Sequence, residues 1–170
     1  LAAMRALLGA ADNPRHLRLD KGAGCRHCMW SADGNTLFVN NELDCTVTVA
    51  SFDGATGALT AKSTVPTLPD GVDGTRAHHR GNSDIHVHPN GKFLYVGCRS
   101  PDPGLIAVFA IDDGGLTVVE HVPTQGLVPR NFKLVPGAGD VLMGFLGSVV
   151  LSFGFRIYGQ RALLRRHAAE

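Results

Sequence analysis

The sequence predicts an all-β fold of short antiparallel strands, and three observations lead to this expectation. The 170 residues include 21 glycines and 9 prolines, which indicates frequent chain reversals. Hydrophobic residues make up 44% of the chain, enough to bury the core of one ordinary domain. A pattern of strand, turn and strand also recurs along the chain. Together these features favour many short strands over long helices.

The repeat places the individual strands. Residues 27–39 align without a gap with residues 84–96, at an offset of 57, and a third, less regular copy begins at Asn131. Each copy joins two apolar strands through a turn of the type Ser/Pro-x-Asp/Asn-Gly, which is typical of antiparallel hairpins. In the first two copies a third strand, a Gly/Asp-rich turn and a fourth strand follow. Four antiparallel strands in about 40 to 50 residues is the size of a β-propeller blade.

Three segments are expected. Residues 1–20 form an N-terminal segment with helical spacing at its start, and residues 21–155 form about three blades. Residues 156–170 form a basic tail with a short amphipathic helix, so both terminal helices are either frayed ends or docking elements. Between the first two blades, residues 66–82 predict a long surface loop.

Charge and composition exclude several classes of protein. The net charge is +1 with acids and bases interspersed, which argues against nucleic-acid binding. No apolar run reaches the roughly 20 residues of a membrane helix. Four cysteines are too few for a disulfide scaffold, which favours free thiols and a cytoplasmic location.

The hairpin symmetry predicts one cluster of charged side chains. Residues equally distant from a tight turn lie side by side at the open end of the hairpin, and Arg26 and Glu42 each lie eight residues from Gly34. The repeat adds three further residues to the same position: Ser83, Arg99 and Arg130. Inner strands line a propeller channel, so these residues are expected at one mouth of it.

Three guanidiniums around one carboxylate predict a pocket for an anionic substrate, with Glu42 as its base. Hydrolysis of an anionic ester or lactone fits this set. The alternative is that these charges form ordinary salt bridges between blades at loop ends.

Neither a metal nor a cofactor is expected. Cys25 and Cys28 have the spacing of a zinc motif, but alternation along a strand predicts that they point to opposite faces, and buried thiols are favoured. Asp84, His86 and His88 alternate on one strand, and partial exposure of that strand accounts for them. The sequence contains no phosphate-binding loop and no serine nucleophile elbow.

Four spaced motifs give the chain a resemblance to a known family. In order they are Gly24-Cys25-Arg26-His27, Asn40-Asn41-Glu42-Leu43, His86-Val87-His88-Pro89 with the following strand up to Arg99, and Pro129-Arg130-x-Phe132. They closely resemble the seven-bladed propeller lactonases, a family that includes cycloisomerase-type 6-phosphogluconolactonases and the fungal carboxymuconate cyclase. The resemblance covers about residues 20–153 and about three of the seven blades.

The resemblance implies a metal-independent hydrolase of a sugar lactone, with 6-phosphogluconolactone of the pentose phosphate pathway as the expected substrate. It implies catalytic parts for Glu42, Arg99 and His27. Substrate binding is expected from the other members of the cluster, which are Arg26, Arg130 and Ser83. Glu42 would activate water, while the arginines hold the substrate's anionic group and the developing oxyanion.

Two alternatives remain open. One is a muconolactone-forming cycloisomerase of the same family, which also acts on an anionic lactone. The other is a non-catalytic partial propeller whose ring is completed by other chains, because three blades cannot close and leave sheet edges exposed.

Overall fold

The structure, a computed structural model, describes residues 16–72, 81–99, 103–113 and 115–134. These residues form two four-stranded sheets. The first contains β1 (Cys25–Trp30), β2 (Thr36–Asn41), β3 (Thr46–Asp53) and β4 (Ala58–Pro66). The second contains β5 (Asn82–Val87), β6 (Phe93–Cys98), β7 (Leu105–Asp112) and β8 (Gly115–Pro123).

Each sheet is an antiparallel meander in which sequential strands are neighbours, β1-β2-β3-β4 and β5-β6-β7-β8. This is the architecture of a propeller blade, and it confirms the all-β prediction. The described residues contain no helix, and so none that could cross a membrane. The predicted terminal helices and most of the third blade, beyond residue 134, lie outside the described residues.

The two inner hairpins turn in the same way, as the repeat predicts. Gly34 and Gly91, 57 residues apart, have φ angles of 74° and 75°. Residues other than glycine rarely adopt this backbone conformation. In the first turn the Asp33 carboxylate accepts the backbone N–H of Asn35, and in the second the Asn90 side chain accepts that of Lys92. These bonds satisfy the turn backbone and hold the register of each hairpin.

The blades pack face to face through a shared apolar core. Side chains from β2 and β3 of the first blade meet side chains from β6 and β7 of the second. The largest of these buried residues are Phe38, Val47, Val49, Leu94, Val96 and Phe109. The opposite face of the second blade packs on Phe132 and Leu134, which follow it in the chain. Successive blades therefore stack in chain order.

The stretch between the blades is only partly the surface loop that the sequence predicts. Thr67 is buried, and its hydroxyl is 2.8 Å from both the Cys45 carbonyl oxygen and the Asn82 Oδ1. Leu68 lies in the core shared by the blades. The start of this segment is therefore an internal tie between the blades, which its Pro and Gly content does not reveal. Residues 73–80 lie outside the described residues.

Candidate functional site

A β-bulge at equivalent positions shapes the inner hairpin of each blade. The β1–β2 register shifts between Cys25 and His27, which leaves Arg26 as the extra residue. The β5–β6 register shifts between Asn82 and Ile85. A bulge redirects the side chains at the end of a strand and often lies beside a functional site.

The bulges bring Arg26, Glu42 and Arg99 together at the ends of the inner strands. The Arg26 Nη1 donates to the Glu42 Oε2 at 3.0 Å, and the Arg99 Nη2 donates to the Glu42 Oε1. Glu42 lies in the first blade and Arg99 in the second, so this carboxylate joins neighbouring blades. The Arg26 Nε also donates to the Ser83 carbonyl oxygen at 3.0 Å, and the Arg99 Nη2 to the Asn82 carbonyl oxygen at 3.2 Å.

The two arginines set the charge state of Glu42. Partial burial acts to raise the pKa of Glu42, but the hydrogen bonds and positive charges of Arg99 and Arg26 outweigh burial and lower it overall. Both carboxylate oxygens are also occupied by guanidiniums. A base with a lowered pKa and no free oxygen abstracts protons poorly near neutral pH.

The guanidiniums keep hydrogen-bond donors for a ligand. Each guanidinium carries five N–H groups. Arg26 uses one on Nε and one on Nη1, which leaves three without a partner among the described residues. Arg99 uses Nε and both N–H groups of Nη2, which leaves the two on Nη1. Only 8% of the Arg99 side chain is exposed, against 26% for Arg26. Arg26 is therefore the more accessible of the two.

A second cluster forms around Asp84, one residue further along the same strands. Its Oδ1 lies 3.1 Å from the His27 Nδ1, and its Oδ2 lies 3.0 Å from the His86 Nε2. Asp84 is buried, so partial exposure of its strand does not account for it, contrary to the interpretation from alternation. The repeat carries the signal that the sequence interpretation did not use, because Asp84 and His27 lie 57 residues apart at the same position of the unit.

The other two predicted site residues are placed differently. Ser83 is buried and its hydroxyl donates to the Gly97 carbonyl oxygen at 3.0 Å, so it meets Arg26 through its backbone and not through its side chain. Arg130 is exposed, and its side chain forms no hydrogen bond or ion pair with the residues that the structure describes. Its part in substrate binding remains a prediction.

The thiols differ from the sequence expectation. Cys25 pairs with Asn41 and Cys28 with Val39, and these two partners are two residues apart on β2. The bulge at Arg26 therefore places both cysteines on one face of the sheet, and the prediction of opposite faces is wrong. Both are exposed, so the favoured burial is wrong for them too. Within the described ranges, no three His, Cys, Asp or Glu side chains are grouped to hold a metal ion.

Alkylation of the folded 170-residue chain at pH 8 is expected to modify Cys25 and Cys28 and to spare Cys45 and Cys98. The first two are exposed, while burial encloses the others and raises the pKa of the Cys98 thiol to about 12. Peptide mapping by mass spectrometry after a short iodoacetamide pulse measures each site, with unfolded chain as the fully reactive control. Equal labelling of all four cysteines would contradict the burial of Cys45 and Cys98 in the core between the blades.

The comparisons with known proteins agree with this architecture. The family model "Lactonase, 7-bladed beta-propeller" matches residues 5–144. A 6-phosphogluconolactonase of Pectobacterium carotovorum is 36% identical over 124 residues, which cover 72% of this chain and 35% of that protein. The solved structure of the Pseudomonas aeruginosa periplasmic gluconolactonase PpgL aligns with a TM-score of 0.67 and 32% identity, covering 76% of this chain and 34% of that one.

The match covers only part of each relative. The chain spans about a third of the length of the curated lactonases that it matches. A separate match of 35 residues is 71% identical to the plastidal glycolate/glycerate translocator 1 of Arabidopsis thaliana and covers 7% of that protein. A segment this short carries no conclusion about function. The match to the family model covers most of the chain, and the chain belongs to the seven-bladed β-propeller lactonase family.

Proposed function

We propose that these blades form part of an enzyme that hydrolyses a sugar lactone bearing an anionic group, with 6-phosphogluconolactone as the foremost substrate. The observation that carries the proposal is the Glu42 carboxylate held between Arg26 and Arg99 from neighbouring blades. Both guanidiniums retain donors beside this carboxylate that have no partner within the part of the chain that the structure describes. The names of the curated relatives support lactone hydrolysis.

The roles follow from the geometry. Arginine remains charged at all working pH values and can donate two parallel hydrogen bonds to a phosphate or carboxylate. The more accessible Arg26 therefore suits the substrate's anionic group. The buried donors of Arg99 suit the negative charge that develops on the lactone carbonyl oxygen when water attacks. Glu42 holds both guanidiniums in position. The sequence predicted Glu42 as the base. Its proposed role is instead to position the two arginines.

The same ion pairs also support a second candidate. Because Glu42 joins Arg99 across two blades, the cluster serves equally well to fasten a partial propeller that other chains complete. A solely structural cluster would affect stability and assembly, and its loss would leave catalysis by the assembled protein unchanged. Turnover by variants separates the two functions.

Arg26→Met in the intact native polypeptide is expected to lower kcat/KM for 6-phosphogluconolactone at least tenfold and to change that for uncharged glucono-lactone less than threefold. A hydrogen bond to a charged group contributes about 1.5–3 kcal/mol, and only the phosphorylated substrate offers the charge. The matched control is Arg18→Met, since Arg18 is exposed and forms no hydrogen bond or ion pair with Arg26, Glu42 or Arg99.

Equal losses on both lactones would show that Arg26 does not bind the anionic group. Absence of turnover of either lactone by the wild-type polypeptide would contradict the proposed function as a whole.

A further inference from the structure

Asp84 is bonded to parts of three successive blades. Its carboxylate contacts His27 in the first blade and His86 in its own strand. It also accepts the backbone N–H of Ile85 at 3.1 Å and that of Phe132, in the segment entering the third blade, at 3.2 Å. An ionised carboxylate has about four acceptor positions, and here four donors fill them. Asp84 is therefore fixed from all sides.

We propose that Asp84 is a positioning residue that fixes the His27 imidazole as the base of the lactonase site. The proposal rests on the proposed function for its chemistry, while the contact itself is independent of it. Asp84 touches neither substrate nor reacting atoms in this arrangement. It acts through His27.

The hydrogen bond determines which ring nitrogen is free. The hydrogen bonds from His86 and Phe132 help to hold the pKa of the Asp84 carboxyl well below its usual range, despite partial burial, so it is ionised and accepts only. The His27 Nδ1 must therefore carry the proton that it shares with Asp84. In the neutral ring this leaves a lone pair on Nε2.

The position of His27 suits proton transfer better than that of Glu42. Its side chain is 40% exposed, and its Nε2 has no partner among the residues described. It directly follows Arg26 on β1, and the two side chains reach adjacent residues of β5, namely Asp84 and Ser83. The charged or titratable side chains bonded to these two residues are Asp84, which contacts His27, and Glu42, which contacts Arg26. His86 contacts Asp84 in turn.

In the proposed reaction His27 takes up one proton and later returns it. Water attacks the lactone carbonyl carbon, a C–O bond forms, and one proton of that water passes to the His27 Nε2. The ring C–O bond then breaks, and the same proton is returned to the departing ring oxygen as the alcohol of the opened hydroxy acid. Asp84 stabilises the imidazolium between these two steps and remains ionised throughout.

The test uses Asp84→Asn, His27→Gln and the double variant in the intact native polypeptide. Asp84→Asn is expected to lower kcat for 6-phosphogluconolactone at least tenfold with KM changed less than twofold. Loss of the carboxylate partner costs about 10- to 100-fold for a metal-bound histidine and about 10⁴-fold for the histidine of a Ser-His-Asp triad. The double variant is expected to be no slower than His27→Gln, because both substitutions remove one function. The control is His88→Gln, since His88 lies just beyond β5 and forms no hydrogen bond with Asp84 or His27, and this variant is expected to keep kcat within twofold.

A structural readout accompanies the kinetics. In ¹⁵N NMR spectra of the wild-type protein, neutral His27 is expected to be protonated at Nδ1, and Asp84→Asn is expected to shift this proton toward Nε2. This measurement needs no turnover, so it distinguishes failure of the inference from failure of the proposed function. If Asp84→Asn does not fold, the NMR spectrum of the wild type alone still shows which ring nitrogen of His27 is protonated.

Three results would overturn the inference. One is a wild-type His27 protonated at Nε2 alone. Another is Asp84→Asn with an unchanged kcat and a lowered Tm, which would make Asp84 a tie between blades only. The last is a His27→Gln variant with undiminished kcat.

Discussion

Replacing Glu42 by glutamine is expected to lower lactone turnover about 100- to 1,000-fold while the protein remains folded. The carboxylate offers one oxygen to Arg26 and the other to Arg99. Glutamine keeps one acceptor oxygen and directs its NH₂ group toward the second guanidinium. One arginine therefore loses the hydrogen bond that positions it. Loss of one oriented donor to a developing oxyanion costs about this much in kcat. Steady-state kinetics with 6-phosphogluconolactone measures the effect.

Stability should change little at neutral pH, because partly exposed ion pairs contribute about 0–1 kcal/mol. The pKa of folded Glu42 is lowered from 4.5, so its contribution is present above that value and is lost as pH falls through the lowered pKa. The difference in unfolding free energy between the wild type and Glu42→Gln should therefore shrink on acidification below about pH 4.5.

Glu120→Gln on β8 is the matched control, since Glu120 lies outside the cluster and should keep full turnover. Unchanged turnover in Glu42→Gln itself would remove Glu42 from the mechanism. A variant that keeps turnover but dissociates or melts early would instead support the structural alternative.

Gly81→Ala is expected to lower the free energy of unfolding by about 3 kcal/mol and to abolish turnover. Gly81 has a φ of 100°, and a Cβ there would lie 2.1 Å from the Glu42 carbonyl oxygen. A backbone atom cannot rotate away, so the chain beside Glu42 must move, which adds overpacking of about 1–3 kcal/mol to the cost of the backbone conformation. The shift also breaks the bond from the Asn82 N–H to the Glu42 carbonyl.

Gly24→Ala is the matched control, because Gly24 occupies the same position of the first blade. Its φ is 64°, and the three atoms nearest to an added Cβ would belong to the side chain of Leu43, which is half-exposed and can rotate its Cγ and Cδ1 away. The expected cost is therefore mainly that of the backbone conformation, about 1–2 kcal/mol. Chemical denaturation of both variants measures the difference. Equal costs would contradict the close approach of Gly81 to the Glu42 backbone.

The repeat made the strands predictable. An offset of 57 residues relates His27 to Asp84 and the turn glycines Gly34 to Gly91, and the structure places all four at equivalent points of two meanders. Counting from the turn also predicted that Arg26 and Glu42 meet. Hairpin geometry is local, so the order of residues around a turn determines which side chains are neighbours.

The features that the sequence did not predict depend on register and on packing between blades. The bulge at Arg26 adds a residue without any Gly or Pro signal, and it places Cys25 and Cys28 on one face of the sheet. Burial of Asp84 requires two blades and the segment at Phe132 to converge on it. Alternation along a single strand carries no information about such a convergence. The sequence therefore predicted a partly exposed strand at Asp84, which the structure shows to be buried.

Lactone hydrolysis by the intact native polypeptide is the activity that the arginine–glutamate cluster is proposed to serve. We would measure its kcat/KM for 6-phosphogluconolactone and for uncharged glucono-lactone side by side, after determining its mass. Measurable turnover with a clear preference for the phosphorylated lactone is expected, since Arg26 keeps donors without a partner among the described residues and can offer them to the anionic group. No turnover of either lactone by the pure, folded polypeptide would contradict it and would leave the ion-pair cluster as a fastening between blades.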